Sequence, residues 1–242
     1  MGLLGVVGGH SMLGVEGQVP FAGRARRRPA HGARGPVTIL AGDHCVLLQR
    51  HGLDEYVPAH LVDHARNLSA LAAVGCDRVL ALSSVGGLRP ELGVGTHLVP
   101  HDFIALDHPP VSVHLDTRCH VVPAFTQPWR TQVLDAWRRA RQTAGDDVVD
   151  GGVYWQTNGP RFETAAEIRL VAGFADVVGM TIGSECVVAN ELGLDYAAVC
   201  IVDNLANGIG DVSLTREEFE AGKRVNRDRL FAVLTDAVAT LS

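Results

Sequence analysis

Apolar residues follow two rhythms along this chain. Residues 3–7, 37–40, 45–49, 78–83, 152–156, 177–180 and 196–202 form short, nearly continuous runs rich in Val, Leu and Ala, the pattern of strands covered on both faces. Between them, Leu61, Ala65, Leu68 and Ala72 recur at helical spacing after Pro58, and Gly75 closes that helix. Residues 130–143 predict a helix polar on one face, and 185–192 a helix ended by Gly193. Two capping boxes, Thr164 with Glu167 and Thr215 with Glu218, open two more helices. The last of these carries the apolar stripe Leu230, Leu234, Val238 and Leu241. Residues 41–44 read as the turn between two strands, and 101–128 as loops and short strands. The Arg-, Gly- and Pro-rich residues 22–36 read as a solvated loop, with a basic lid over an anion as the alternative. Strands alternating with helices predict an α/β fold on one large central sheet.

Composition narrows this picture. A length of 242 residues suits a single domain over 1–242, and 47% apolar against 20% charged residues is enough for one large core. Aromatic content of 5% argues against a β-sandwich. The longest apolar run, residues 196–202, falls far short of the roughly eighteen residues of a membrane helix. Residues 1–4 run straight into the first apolar segment without a basic leader or cleavage site, so secretion is not expected. Five cysteines without a Cys-x-x-Cys pair read as reduced thiols of a cytoplasmic protein, not as a disulfide frame or zinc site. A net charge of −6 and the lack of a basic helix disfavour nucleic acid or a membrane as partner.

Candidate chemistry gathers where strands are expected to stop. Ser83-Ser84, Met180-Thr181 and Asp203-Asn204 each follow a predicted strand, and in α/β sheets ligands sit beyond such ends. Gly8-Gly9 could let backbone N–H groups approach a phosphate, although the spacing matches no nucleotide fingerprint. Arg50-His51 follows a strand and offers a planar fork of donors suited to phosphate oxygens. His60 and His64 stand four apart, but no third ligand accompanies them, so a metal is not expected.

Residues 152–208 resemble the trimeric purine nucleoside phosphorylase and methylthioadenosine phosphorylase family. The resemblance is carried by Gly159-Pro160-Arg161-Phe162-Glu163-Thr164-x-Ala166-Glu167-Ile168, by Ala175-Asp176-x-x-Gly179-Met180-Thr181 and by Asn204-x-Ala206. Weaker matches at Gly8-Gly9, Arg50-His51-Gly52, Pro58-x-His60, Ser84-x-Gly86-Gly87-Leu88 and Cys119-His120 extend it over most of the chain. It implies a single α/β domain with a mixed central sheet flanked by helices, a homotrimer, and phosphorolysis of a purine nucleoside. Inorganic phosphate would be the co-substrate, with no metal or organic cofactor. Arg50 would grip phosphate, helped by Gly9, His10, Ser11, His51, Ser84 and Thr181. Met180 would lie against the ribose, Phe162 against the purine, and Val85 and Gly86 beside them. Glu163 would accept from the base edge, and Asn204, with Ala206 nearby, would stabilise the departing purine. His120 would reach a neighbouring subunit's pocket, and Val212 with Leu214 would lie near the 5′ substituent.

Asn204 has a consequence of its own. An amide can donate to a 6-oxo group, whereas the Asp of 6-aminopurine enzymes accepts from an amino group. The resemblance therefore implies a hypoxanthine or guanine nucleoside, and the apolar Val212 and Leu214 lean towards 5′-methylthioinosine, with inosine and guanosine close behind. The phosphate end departs from the family: His10-Ser11 replaces the usual Ser/Thr-Gly after Gly8-Gly9, and Ser184 replaces a Pro before Glu185. A nucleoside hydrolase, or a non-catalytic nucleoside-binding or assembly subunit, are the alternatives this leaves open.

Overall fold

A computed structural model describes residues 2–13, 26–106, 109, 111–142, 148–210 and 214–242, without the side chain of residue 228. At its centre lie β1 (Leu3–Gly8), β5 (Cys76–Gly87) and β11 (Asp195–Leu205), parallel neighbours in that order, with β4 (Cys45–Gln49) parallel on the far side of β1. These strands have almost no exposed positions, which explains their unbroken apolar runs. The antiparallel pair β2 (Arg26–Gly32) and β3 (Gly35–Ala41) extends the sheet beyond β4. Beyond β11 come β6 (His97–Val99) and β8 (Val148–Asp150). On the other branch β7 (Asp102–Ile104), β9 (Val153–Gln156) and β10 (Val177–Gly179) complete an eleven-stranded mixed sheet.

Helices cover both faces. On one, α1 (His64–Ala73) and α4 (Ile182–Glu191) bury Leu68, Leu71, Ile182 and Val188 against Val7, Val79 and Tyr196. On the other, α2 (Trp129–Gln142) and α5 (Arg216–Leu241) bury Trp137, Val133, Leu234 and Val238 against Val6, Leu80 and Val199. Each such side chain contributes roughly 1.5–3 kcal/mol by leaving water. The short α3 (Ala165–Val171) closes a third cluster with Leu88, Val178 and Ala206. Both capping boxes form, at the starts of α3 and α5.

Four expectations are corrected. Within residues 22–36, those from 26 onward are not loop: they form most of a hairpin, in which β2 exposes Arg26 to Pro29 at the sheet edge and buries Ala30. An edge strand tolerates this composition because one side needs no ladder partners. The first helix starts only at His64, where the Asp63 carboxylate accepts from the Arg66 N–H, leaving His60 on a separate 3-10 turn. The helix expected from Glu185 starts at Ile182, which puts Glu185 in its first turn. Finally, β5 and β11 do not stop at Ser83 and Val202 but run on to Gly87 and Leu205.

That last difference creates the site. β1 pairs with β5 only as far as Ala81, and β10 takes over the same edge at Gly86 and Gly87, in the opposite direction. Residues 82–85 lie in the gap between the two partners. Position 87 of the strand takes glycine, since a Cβ there would stand 2.3 Å from the Leu92 carbonyl oxygen. Opposite the gap, β11 carries one extra residue between Val202, aligned with Val85, and Asn204, aligned with Gly86. This bulge brings Asp203 and Asn204 to the side of α5, where strict alternation would part them.

Candidate active site

The gap along β5 opens into a cavity of about 440 Å³. Its floor is Ser83 to Gly86, with Arg50 and His51 from the loop after β4 and Thr181 at the start of α4. The wall opposite Arg50 holds Phe162, Glu163 and Met180, with Asn204 and Ala206 from the end of β11. The N-terminal turns of α5 supply the third side through Leu214, Arg216, Phe219 and Glu220. Of the residues expected from sequence, Arg50, His51, His10, Ser84, Val85, Gly86, Phe162, Glu163, Met180, Thr181, Asn204 and Ala206 come together here.

Arg50 is buried and its donors are already oriented. Nε donates to Glu185 Oε1 at 2.6 Å, one Nη to Oε2 at 2.8 Å and the other to the Leu82 carbonyl at 2.8 Å. Gly9 lies against this group, since a Cβ there would stand 2.5 Å from the Leu82 oxygen and 3.0 Å from the guanidinium. Burial would push the Glu185 carboxyl up, but the adjoining Arg50 charge outweighs it and holds the acid well below the usual carboxylate range. His51 Nδ1 lies 2.8 Å from the Val57 carbonyl, which only accepts, so the proton is on Nδ1 and Nε2 presents a lone pair. Burial and then Arg50 push its pKa down to about 4. Thr181 makes no side-chain bond to the helix it opens, while its own N–H donates to the Tyr154 hydroxyl and the Ser184 N–H to Gln156 Oε1, each at 3.0 Å.

His10 stands among rings, with centroids 5.5 Å from Phe219, 5.7 Å from His51 and 6.0 Å from Tyr56. Burial and then the Lys223 ammonium lower its pKa to about 4, so it is a neutral donor and acceptor at pH 7. Ser11 is placed behind the wall: its hydroxyl is 2.6 Å from that of Ser84 and donates to Asp203 Oδ2 at 3.3 Å. Asp203 also accepts from Asn226 of α5 at 2.6 Å. Burial raises its pKa, with the bonds from Asn226, Ser84 and Ser11 opposing.

At the other end, the Thr157 hydroxyl donates to Glu163 Oε1 at 2.6 Å, leaving Oε2 free to accept. Asn204 gives one amide N–H to the Leu205 carbonyl at 2.8 Å and keeps the second N–H and Oδ1 for a ligand. Phe162 is 41% exposed and meets Phe219 edge-on at 5.3 Å. His120 is exposed and does not line this cavity, and Val212 lies outside the described residues.

Tyr56, Phe219, Glu220 and Glu185 were not legible as site residues. For Glu185 a signal existed: it is the one carboxylate in the otherwise apolar or small residues 177–189, and a buried acid requires a partner. His60 is exposed and His64 is buried with its Nδ1 3.7 Å from Glu185, so the pair does not share a face.

The cavity thus brings together a buried guanidinium with uncommitted N–H groups, a cluster of rings, and an amide and a carboxylate that each keep polar atoms unengaged. Comparison with known proteins places the chain in a family. A model of the phosphorylase superfamily matches residues 6–239. A probable 6-oxopurine nucleoside phosphorylase of Archaeoglobus fulgidus is 36% identical over 236 residues, covering 98% of this chain and 96% of its own. A probable S-methyl-5′-thioinosine phosphorylase of Pseudomonas syringae pv. tomato is 32% identical, covering 97% of each. In fold, the chain superposes on methylthioadenosine phosphorylase from Schistosoma mansoni, solved with adenine, at a TM-score of 0.81 and 21% identity over 99% of this chain and 91% of that one. A cleft of this layout on this sheet, with the family match spanning nearly the whole chain, makes the protein a purine nucleoside phosphorylase family enzyme of the phosphorylase superfamily.

Proposed function

We propose that the enzyme cleaves 6-oxopurine nucleosides with inorganic phosphate. A hydrogen phosphate oxygen bonds to the anomeric carbon as the carbon–nitrogen bond to the base breaks. The bonding pair leaves with the purine, and the proton of the hydrogen phosphate ends on the base. Arg50, Thr181 and Ser84 hold the phosphate, and Met180 lies along the ribose. Phe162 excludes water from the base, while Glu163 accepts from its edge. Asn204 meets the charge that develops on the leaving purine, where a fixed donor in a dry site stabilises it most. The observation that carries the choice of base is Asn204, whose free amide N–H can donate to a 6-oxo group, next to Ala206 where no second carboxylate stands.

The 5′ group falls on the α5 side. Leu214 and Phe219 favour 5′-methylthioinosine, whereas the polar His10, Arg216 and Glu220 in the same wall favour the free hydroxyl of inosine or guanosine. A homotrimer fits the exposed Leu115 and Val122 on the segment that carries His120. Incubating the purified protein with inosine, 5′-methylthioinosine and their adenine counterparts, with and without phosphate, tests the reading through base release on chromatography. Phosphate-dependent release of hypoxanthine with little adenine is the expected result. Release without phosphate would make it a hydrolase instead.

A further inference from the structure

Glu185 lies outside the cavity, is fully buried and touches no position a substrate could reach. It nevertheless controls what Arg50 can offer. A guanidinium has five N–H groups in one plane. Three of them are engaged by the two Glu185 oxygens and the Leu82 carbonyl. That fixes the plane and leaves one N–H on each terminal nitrogen for a ligand. The carboxylate is itself fixed: the Tyr196 hydroxyl, buried in the sheet, donates to Oε2 at 2.8 Å, and His64 Nδ1 approaches Oε1 at 3.7 Å. A place in the first turn of α4 further favours the anion.

Two physical arguments say that stability does not explain this arrangement. A buried ion pair gains little over apolar residues of the same volume, because both charges must leave water. The pair also neutralises the cation before any anion arrives, which weakens the pull on phosphate. What the contact does provide is orientation of a planar fork on a flexible side chain.

We propose that Glu185, held by Tyr196, is the positioning residue that sets Arg50 for the attacking phosphate. The inference rests on the phosphorolysis reading above. Its test is steady-state kinetics with phosphate and nucleoside varied separately, on wild type, Glu185→Asp, Glu185→Gln and Tyr196→Phe, with thermal melting alongside. Glu185→Asp keeps the charge but withdraws both oxygens by one methylene, so it separates geometry from charge. The phosphate KM is expected to rise at least tenfold in both Glu185 variants and about threefold in Tyr196→Phe, with the nucleoside KM within twofold of wild type. If Glu185→Gln fails to fold, Glu185→Asp and Tyr196→Phe carry the test. An unchanged phosphate KM overturns the proposal. So does a fall in Glu185→Gln, which would mean that the acid only neutralises Arg50. A parallel rise of both KM values with a lowered melting temperature overturns it too, as a purely structural effect. Wild type that releases no base defeats the phosphorolysis reading instead. Phosphate binding by calorimetry to wild type and Glu185→Asp then decides this one: weaker binding by the variant supports it, equal binding overturns it.

Discussion

At the scale of single residues, the two ends of the cavity answer to different chemistry. Exchanging the Asn204 amide for a carboxylate in Asn204→Asp replaces a donor with an acceptor, and an unpaired buried polar group costs about 1–3 kcal/mol. The ratio of kcat/KM for inosine over adenosine should fall by about tenfold or more, and competition assays with the two nucleosides would read it. Arg50→Ala removes a charge-assisted contact and should raise the phosphate KM at least tenfold while leaving the nucleoside KM near wild type. Ser11→Ala acts differently, because its hydroxyl bonds to Ser84 and Asp203 behind the wall. It should lower stability by about 1–3 kcal/mol in denaturant titration and change the phosphate KM less than Arg50→Ala does. The wall proposed to meet the base was readable from sequence because Phe162, Glu163, Met180 and Asn204 sit in compact motifs, and all four line the cavity. The support of the phosphate end could not, because Ser11 meets Asp203 and Arg50 meets Glu185 only once the sheet has formed.

Among elements, strand and helix cores were legible and their ends were not. The run Ser83-Ser84-Val85-Gly86-Gly87 has the composition of a turn, yet pairing to β10 and β11 holds it extended. Tertiary pairing overrode local preference there. The same holds for the arginines of β2, whose strand exists because β3 lies beside it. By contrast, the capping boxes depend on four consecutive residues and were readable outright. The box at Thr215 has a functional reach, since Phe219 and Glu220 sit in the first turns of α5 and line the cavity. Thr215→Ala should cost about 1 kcal/mol of stability. It should also raise the nucleoside KM a few-fold with the phosphate KM unchanged, so kinetics and melting together would separate the two effects.

Over the whole molecule, buried imidazoles tie stability to pH. Burial, then Arg50, lowers the His51 pKa to about 4, and burial, then Arg141, lowers that of His97 to about 3. Trp137 Nε1 donates to His97 Nδ1 at 2.8 Å, which requires that nitrogen to be unprotonated. Both groups stay neutral in the folded chain while the unfolded chain takes up protons near pH 6.5. Above that value the two states match and stability is unaffected. As pH falls from about 6.5 towards 4, the unfolded state is favoured, so the melting temperature should drop steadily through that window. His97→Gln, which cannot gain the proton, should flatten the drop.

The extra residue in β11 sets two neighbouring side chains on one side of the sheet. Asp203 reaches Asn226 of α5 and Asn204 lines the cavity on that same side because one extra residue lies between Val202 and the alignment with Gly86. Deleting Asp203 would restore plain alternation with Asn204 still level with Gly86, and would take away the carboxylate that meets Asn226 of α5 and Ser11. One inserted residue thus gives the strand a tether and the cavity a wall side by side, where a regular strand supplies only one of the two.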